Sequence, residues 1–398
     1  MHPNVPHLRF PEFHGEWEEH GLSEYLDFKN GLNPDSKRFG KGIKFISVMD
    51  ILNNPVITYD CIRASVQATD AEMSSFSVEN GDILFQRSSE TLEDVGRANV
   101  YIDDKVAVFG GFVIRGKKKA NYNPLFFRYL LSSPYARKRI IPMGAGAQHF
   151  NIGQEGLSKV LLNFPSIEEQ TKIASLLHLL DERIATQSKL IEDLKKLKSA
   201  IIVEHYRQTE KNEVCVADLG NHFNVGNLAK DDLSETGKPC IIYGELFTTY
   251  GEIISQIESH TNKTEGMILS KKGDLLFPSS TTVDAVSLIA PSVINVDNVI
   301  LGGDMFGIHI NHNYNTQYLS YYFNHIAKKQ LAKFAKGSTI IHLHYTDIEK
   351  AKLLLPSLEE QNRMAKCLVA LDKKVSVEQN LLSSLTCQKS YLLQQMFI

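Results

Sequence analysis

The chain has 398 residues, of which 43% are hydrophobic and 22% are charged, and its formal net charge is −3. This length suffices for two or three cores, and no apolar run reaches the length of a membrane span or of a secretory segment between His2 and Trp17, so we expect a cytoplasmic protein. The five cysteines are odd in number and never spaced as pairs, which favours reduced thiols over metal or disulfide roles.

The first segment, residues 1–165, alternates short β-rich runs with helical stretches and predicts a mixed α/β domain. Val106–Phe109 and Gly111–Ile114 are typical of strands, and Pro124–Arg139 is typical of a helix. Between Lys105 and Gln154 there is no acidic residue, whereas the same window carries nine positive charges. A surface that binds phosphates excludes carboxylates in this way, although a solvated basic face would look the same. The candidate nucleic-acid contacts among these cations are Lys117, Lys118, Lys119, Arg137, Lys138 and Arg139.

Two loops of this domain carry polar groups suited to base edges or phosphates. The first follows Gly81-Asp82 and offers Gln86, Arg87 and Ser88. The second begins at Gly144 and offers Gln148, His149 and Asn151. A structural turn is an equally open interpretation of both loops.

A long helix is predicted over residues 166–207, because apolar residues recur at alternating steps of four and three. The seam consists of Ile173, Leu177, Leu180, Ile184, Ile191, Leu194 and Ile201, with polar breaks at Gln187 and Lys198. Ser166 stands three residues before Glu169, which predicts a capping box, and Pro165 stops the helix from extending upstream.

Residues 208–356 predict a second α/β domain, with a helical stretch at Tyr318–Phe334. Met305–Thr346 is again free of Asp and Glu. Its candidate contacts are Lys328, Lys329, Lys333, Lys336, Ser338, Thr339, His342 and His344, and a preceding loop adds Ser279, Ser280 and Thr281. A metal role for the two histidines would need further ligands, and Asn151 occupies the position of His342 in the first half.

A second long helix is predicted over residues 357–398, and it repeats the first. Its seam consists of Met364, Leu368, Leu371, Val375, Leu382, Leu385 and Leu392, with polar breaks at Glu378 and Lys389. Pro165-Ser166-Ile167-Glu168-Glu169-Gln170 returns as Pro356-Ser357-Leu358-Glu359-Glu360-Gln361, a displacement of 356 − 165 = 191 residues. Gly81-Asp82-Ile83-Leu84-Phe85 returns as Gly273-Asp274-Leu275-Leu276-Phe277, 273 − 81 = 192 residues later. The chain therefore contains two equivalent halves, and we expect their helices to pair as an antiparallel coiled coil, rather than as two helices buried in one core.

These features together resemble the DNA-specificity subunit of type I restriction-modification systems. The motifs that carry the resemblance are the repeated Pro-Ser-x-Glu-Glu-Gln, the twin Gly-Asp-Ile/Leu-Leu-Phe and the opening Leu8-Arg9-Phe10-Pro11-Glu12-Phe13. The resemblance implies two target-recognition domains that each read half of a split DNA site, with helices that dock two methyltransferase subunits and set the gap between the half-sites. It also allows two restriction and translocation subunits. It implies no cofactor on this chain, with S-adenosylmethionine, ATP and Mg²⁺ expected on the partners.

The two alternative classes of protein are an enzyme, either a nuclease or a methyltransferase, and a scaffold that binds only proteins. A nuclease would need a carboxylate pair with lysine, as Asp82 and Asp103–Lys105 offer, but Asn295–Asp297 in the second half lacks that set. A methyltransferase acting on base amino groups would be expected to contain a Pro-Pro element, which this chain lacks. A coiled-coil scaffold that binds only proteins would lack salt-sensitive DNA binding. We therefore expect a non-catalytic subunit.

Overall fold

The computed structural model describes residues 4–398, which divide into two compact units. Unit 1 comprises residues up to Lys189 together with Asn380–Ile398, and unit 2 comprises Leu190–Gln379. Each unit therefore combines one α/β domain with a segment of each long helix. Within the described residues, no helix is both long enough and apolar enough to cross a membrane.

Unit 1 is built around two four-stranded sheets, of which one is antiparallel and the other is mixed. Its strands are β1 (Glu18–Gly21), β2 (Leu26–Asn30), β3 (Phe39–Ile46), β4 (Ser65–Val66), β5 (Ser77–Val78), β6 (Ile83–Gln86), β7 (Ser88–Ser89), β8 (Ala98–Val100), β9 (Ala107–Phe109), β10 (Val113–Lys118), β11 (Phe150–Asn151) and β12 (Leu161–Phe164). Its helices are α1 (Leu22–Tyr25), α2 (Val48–Asn53), α3 (Asp70–Phe76), α4 (Pro124–Ser132), α5 (Pro134–Ile140), α6 (Gln154–Ser158) and the first part of α7 (Ile167–Gln208). The sheet orders are β2-β10-β6-β8 and β4-β3-β9-β5.

Unit 2 repeats this plan. Its strands are β13 (Asn212–Cys215), β14 (Gly220–Asn224), β15 (Leu233–Ser234), β16 (Lys238–Ile242), β17 (Ile253–Ile254), β18 (Ser259–Thr261), β19 (Ile268–Leu269), β20 (Asp274–Pro278), β21 (Ser280–Thr281), β22 (Ser292–Ile294), β23 (Ile300–Gly302), β24 (Met305–Ile310), β25 (Ile341–His342) and β26 (Lys352–Leu355). Its helices are α8 (Glu245–Thr248), α9 (Ala285–Leu288), α10 (Thr316–Tyr322), α11 (Lys328–Leu331), α12 (Tyr345–Ile348) and most of α13 (Leu358–Gln395). The sheet order β14-β24-β20-β22 is the counterpart of β2-β10-β6-β8, so the predicted internal repeat is confirmed in the fold.

The two predicted helical stretches are interrupted in the structure. Ser133 separates α4 from α5, because its hydroxyl oxygen accepts a hydrogen bond from the Ala136 N–H and starts a new helix at Pro134. In unit 2, a π-helical segment at Phe323–Ala327 lies between α10 and α11. The strand predicted at Gly111 begins instead at Val113, and the preceding residues form a turn.

The long helices pair antiparallel within each unit. In unit 2, Lys198 and His205 of α7 pair with Asp372 and Glu360 of α13, with N–O distances of 2.8 and 2.9 Å. The residue number increases along α7 as that of the partner on α13 decreases, so the two helices run antiparallel. In unit 1, Asp181 pairs with Lys389 at 2.5 Å. Every predicted seam residue is buried or half-buried, as the apolar seam of a coiled coil requires.

The capping boxes are only half formed. The hydroxyl groups of Ser166 and Ser357 accept hydrogen bonds from the Glu169 and Glu360 N–H groups, each at 3.4 Å. The glutamate side chains do not return the bond as predicted. The Glu169 carboxylate binds the Arg9 guanidinium at 2.7 and 2.8 Å, and the Glu360 carboxylate binds His205 at 2.9 Å. These carboxylates therefore fix tertiary contacts rather than the helix ends.

Candidate nucleic-acid interface

The two polar loops predicted in the first half lie side by side in unit 1. Strand β7 pairs with β11, so that Ser88 faces Asn151, and the Ser88 hydroxyl donates to the Asn151 side-chain oxygen. Residues 145 and 151 exchange backbone hydrogen bonds, each at 2.9 Å, and close the second loop on itself. The structure thus joins the two loops into one element, which we call the unit 1 hairpin (residues 88–89 and 145–151).

The same element exists in unit 2. Strand β21 pairs with β25, so that Ser280 faces His342 and Thr281 faces Ile341. Lys336 and His342 exchange backbone hydrogen bonds at 2.9 and 2.7 Å. We call this element the unit 2 hairpin (residues 280–281 and 336–342). The polar loops predicted in the two halves are therefore one duplicated structure.

A glycine makes each hairpin loop possible. Gly146 has φ 147° and Gly337 has φ 116°, which are backbone conformations that residues with a Cβ atom rarely adopt. A Cβ atom on either residue would lie 2.0 Å from a backbone carbonyl oxygen, that of His149 or Ile340. The tight loops leave Gln148 and His149 in unit 1, and Ser338 and Thr339 in unit 2, exposed to solvent.

Gln86 and Arg87 support the unit 1 hairpin from behind. Gln86 is buried, and its Nε2 donates to the Ser88 carbonyl at 2.9 Å. Arg87 is half-buried, its Nη1 donates to the Gly111 carbonyl at 3.2 Å, and its own carbonyl accepts from the Ile152 N–H at 2.9 Å. Ser279, the counterpart of Arg87, is also buried and accepts from the Leu343 N–H at 2.9 Å.

The structure does not bring Lys117, Lys118 and Lys119 to the hairpin. Gln86 pairs with Val113 at the start of β10, whereas these lysines lie at its other end. Lys117 pairs with Glu79 at 3.1 Å, and Lys119 pairs with Asp27 at 3.3 Å. The Lys118 ammonium donates to the Tyr122 carbonyl at 3.1 Å. The charges of Lys117 and Lys119 are thus partly neutralised by residues outside the acid-free window.

The basic cluster on α5 contains three different environments. Arg137 donates to the carbonyls of Glu93 and Val95 at 2.8 and 2.6 Å. Burial, together with the neighbouring Arg97 charge, lowers the pKa of Arg137 to about 10. Arg139 lies 3.9 Å from the centre of the Tyr135 ring, and Lys138 is exposed. Arg137 therefore fixes the segment after β7, whereas the side chain of Lys138 is exposed and could contact a ligand.

The predicted cations of unit 2 are similarly divided. Lys336 pairs with Asp347 at 2.5 Å. Lys329 and Lys333 are exposed, and Lys328 is half-buried. The rings of His342 and His344 are nearly parallel with centres 6.1 Å apart. In the part of the chain that the structure describes, no group of three or more His, Cys, Asp or Glu side chains could hold a metal ion.

The carboxylates considered for a nuclease bind backbone amides. Asp82 is buried, which raises its pKa, and its oxygens accept from the N–H groups of Glu79 and Lys118 at 3.0 and 2.9 Å. Asp103 accepts from the N–H groups of Lys105 and Tyr59 at 3.0 and 2.8 Å, and these bonds lower its pKa. Both side chains organise loops in this geometry.

Sequence reasoning did not single out the turns beside the hairpins. The turn at 110–112 holds β7, because the Phe112 carbonyl accepts from the Arg87 N–H at 2.9 Å. The Asp304 carbonyl accepts from the Ser279 N–H at 2.8 Å in unit 2. The repeated glycine pair before both residues was the available signal, but the sequence alone placed Phe112 in a strand.

Two copies of one α/β domain, each carrying a glycine-dependent polar hairpin, define a duplicated nucleic-acid recognition protein. The family described as "Type I restriction modification DNA specificity domain" matches residues 14–196 and 209–386. The chain belongs to this family and contains two copies of its domain.

Known proteins of the same kind resemble the chain over nearly its whole length. The MjaX specificity subunit of Methanocaldococcus jannaschii is 23% identical, with 94% of this chain and 91% of that protein covered. The type I restriction enzyme MjaVIII specificity subunit of the same organism is 21% identical, with 93% and 89% covered. The crystal structure of an S subunit from M. genitalium has a TM-score of 0.61 at 17% identity, with 99% of both chains covered, and shows the same fold.

Proposed function

We propose that this chain selects the DNA sequence on which a type I restriction-modification complex acts, and that each unit reads one half of a split site. The observation that carries the proposal is the duplicated hairpin. The same backbone pairing presents Asn151 in unit 1 and His342 in unit 2. Different side chains in one frame are suited to reading two different half-sites.

Local charge supports DNA as the ligand despite the net charge of −3. Only the second segment of each hairpin, residues 145–151 or 336–342, lies within an acid-free window, and Lys138, Lys329 and Lys333 are exposed in these windows. Each phosphate that a cation neutralises releases counterions, so binding should weaken steeply as the salt concentration rises. A scaffold that binds only proteins would not show salt-dependent binding to DNA.

The long helices support the docking of two methyltransferase subunits, one for each repeat. Their exposed faces include apolar side chains such as Leu179 and Val377, which the seam does not use. The 42 residues of α7 span roughly 60 Å at ~1.5 Å per residue, and we propose that helix length sets the gap between half-sites. One additional heptad in both helices should lengthen the gap by about three base pairs, since it adds ~10 Å.

In this proposal the chain itself is non-catalytic. S-adenosylmethionine would bind to the methyltransferase subunits, and ATP and Mg²⁺ would bind to two restriction subunits where these are present. The backbone contacts of Asp82 and Asp103 support this division of labour, because carboxylates that accept from loop amides are poorly placed to hold a metal.

Mapping of methylated bases by long-read sequencing tests the proposal. The chain is expressed with and without its methyltransferase partner, and a split motif with a fixed gap should be present only when both are made. Matched variants in the two hairpins, Gln148→Ala and Thr339→Ala, should each relax only one half of the motif. An active, co-purifying partner that produces no new motif would contradict the proposal and favour a protein-only scaffold.

A further inference from the structure

A turn beside each hairpin is held in the same way in both units. In unit 1, the turn at 110–112 precedes β10, and its last carbonyl accepts from the Arg87 N–H at 2.9 Å. In unit 2, the bend at 303–304 joins β23 to β24, and the Asp304 carbonyl accepts from the Ser279 N–H at 2.8 Å. Arg87 and Ser279 are repeat equivalents, 279 − 87 = 192 residues apart. The residue after each glycine pair is therefore fixed beside the hairpin strand, β7 in unit 1 and β21 in unit 2.

The second glycine of each pair is constrained, although for a different reason in each unit. A Cβ atom on Gly111 would lie 1.8 Å from the Asn33 side-chain oxygen, and Gly303 has φ 89°. The next residue is Phe112 in unit 1 and Asp304 in unit 2. An apolar ring and a carboxylate thus occupy equivalent positions, and at both the backbone carbonyl accepts a hydrogen bond from the segment that precedes the hairpin strand.

In unit 1 this position is part of an exposed apolar surface. Phe112 is 68% exposed and Met49 is 62% exposed. Both residues line a cavity of about 470 Å³ together with Phe39, and Ser88 of the hairpin lines its edge. Large apolar side chains gathered at a surface usually mark a contact with another molecule.

We propose that residues 112 and 304 determine specificity, and that Phe112 contacts the 5-methyl group of a thymine while Asp304 accepts a hydrogen bond from a cytosine amino group. This inference rests on the proposed function. Thymine presents a methyl group in the major groove, and carboxylates can accept from the cytosine amino group there. A carboxylate gains nothing from phosphates, which repel it. Both assignments therefore follow from the side chain that the turn presents.

The surroundings of the cavity favour DNA over a protein partner. Ser88 lines the cavity and also belongs to the hairpin, so one ligand could contact both. Lys37 and Lys41 flank Phe39 and are exposed, which suits a polyanion that approaches this face.

The inference is tested by measuring how tightly the complete complex, with its methyltransferase subunit, binds DNA sites in which thymine is replaced. The mapped site is compared with a duplex in which every thymine of the first half-site is deoxyuridine, which differs only by the missing methyl group. Loss of one buried methyl contact should weaken binding about fourfold for the wild-type chain. Phe112→Ala should bind both duplexes equally, and Phe112→Leu should retain part of the discrimination.

Val106→Ala provides the control, because Val106 is 47% exposed and lies before β9, at the end of that strand away from the turn. It should discriminate as the wild type does. Asp304→Ala should relax one C·G position in the second half-site and leave the first unchanged.

Several outcomes would overturn the inference alone: a first half-site without thymine, unchanged discrimination by Phe112→Ala, or a uniform loss of affinity for all sequences. A wild-type complex with no sequence preference at all would instead overturn the proposed function, and this inference with it.

Discussion

Lys198 is a buried cation in the helix seam of unit 2, and its removal should strongly destabilise that unit. Its ammonium lies 3.0 Å from both carboxylate oxygens of Glu252 and 2.8 Å from Asp372 Oδ1. These three contacts match the three donors of the group, and the side chain is 10% exposed. Lys198→Met keeps the apolar stem but removes the cation that two carboxylates share, which leaves Glu252 with His325 and Asp372 with the Tyr321 hydroxyl. Breaking a buried pair in this way costs about 3–5 kcal/mol of unfolding free energy.

The repeat supplies a matched control in unit 1. Lys389 is the counterpart of Lys198 and pairs with Asp181 at 2.5 Å. Asp181 also binds Arg128 at 3.2 Å and the Tyr129 hydroxyl at 2.9 Å, so it stays paired when the lysine is removed. We therefore expect Lys389→Met to cost less, about 1.5–3 kcal/mol, the value of one hydrogen bond to a charged group.

Hydrogen exchange measured by mass spectrometry can assign the losses to each unit. Lys198→Met should reduce protection in peptides of unit 2, and Lys389→Met should produce a smaller reduction in unit 1. Fluorescence of Trp17, the sole tryptophan, reports separately on the core of unit 1, where it packs against Phe126 and Phe397. Equal losses for the two lysine variants would refute the reasoning, as would failure of Glu252→Gln to recover stability in the Lys198→Met background.

Three further predictions concern pH, the hairpin glycines and the basic cluster. Burial alone would raise the pKa of Glu252, but a hydrogen bond from His325 and the Lys198 charge lower it from 4.5 to about 2, so its stabilisation is present above pH 4.5 and is lost as the pH falls towards 2. Urea titrations should show this loss, worth on the order of 3 kcal/mol, and Glu252→Gln should remove that part of the pH dependence. Gly337→Ala places a Cβ 2.0 Å from a carbonyl oxygen, so it should relax the second half of the methylated motif, with unchanged circular dichroism. Arg137→Gln should lower the melting temperature, because two backbone carbonyls lose their donor, whereas Lys138→Gln should leave it unchanged and reduce the salt slope of DNA binding by about one.

The helices and their seam could be predicted because the information is local. Prolines and heptads mark the ends and the buried faces of α7 and α13 within a short stretch of sequence. The polar breaks at Lys198 and Lys389 could be located in the same way. Their partners could not, because Lys198 meets Asp372, which lies 174 residues away. The capping carboxylates failed for the same reason, since Glu169 is drawn to Arg9, 160 residues away.

The site shows the same division between local and distant information. Each polar loop was visible in the sequence, but the pairing of Ser88 with Asn151 joins residues 63 positions apart. A count of charges within the acid-free window treats the lysines of β10 as unpaired. Lys117 instead pairs with Glu79, which lies 38 residues earlier and outside that window. A run of positive charge predicts a basic segment, but only tertiary structure tells which of its charges are already paired.

The duplication separates scaffold from specificity within one chain. Where the two units share both geometry and residue, as at Gly146 and Gly337, the backbone conformation requires the residue. Where equivalent positions differ in residue, as at Phe112 and Asp304, the shared hydrogen bond uses the backbone carbonyl and does not depend on the side chain. The side chain at such a position can therefore change with what each unit contacts while that backbone bond is kept. A protein whose two halves read different sequences needs this arrangement, since new side chains in a fixed frame change the half-site without disturbing the domain.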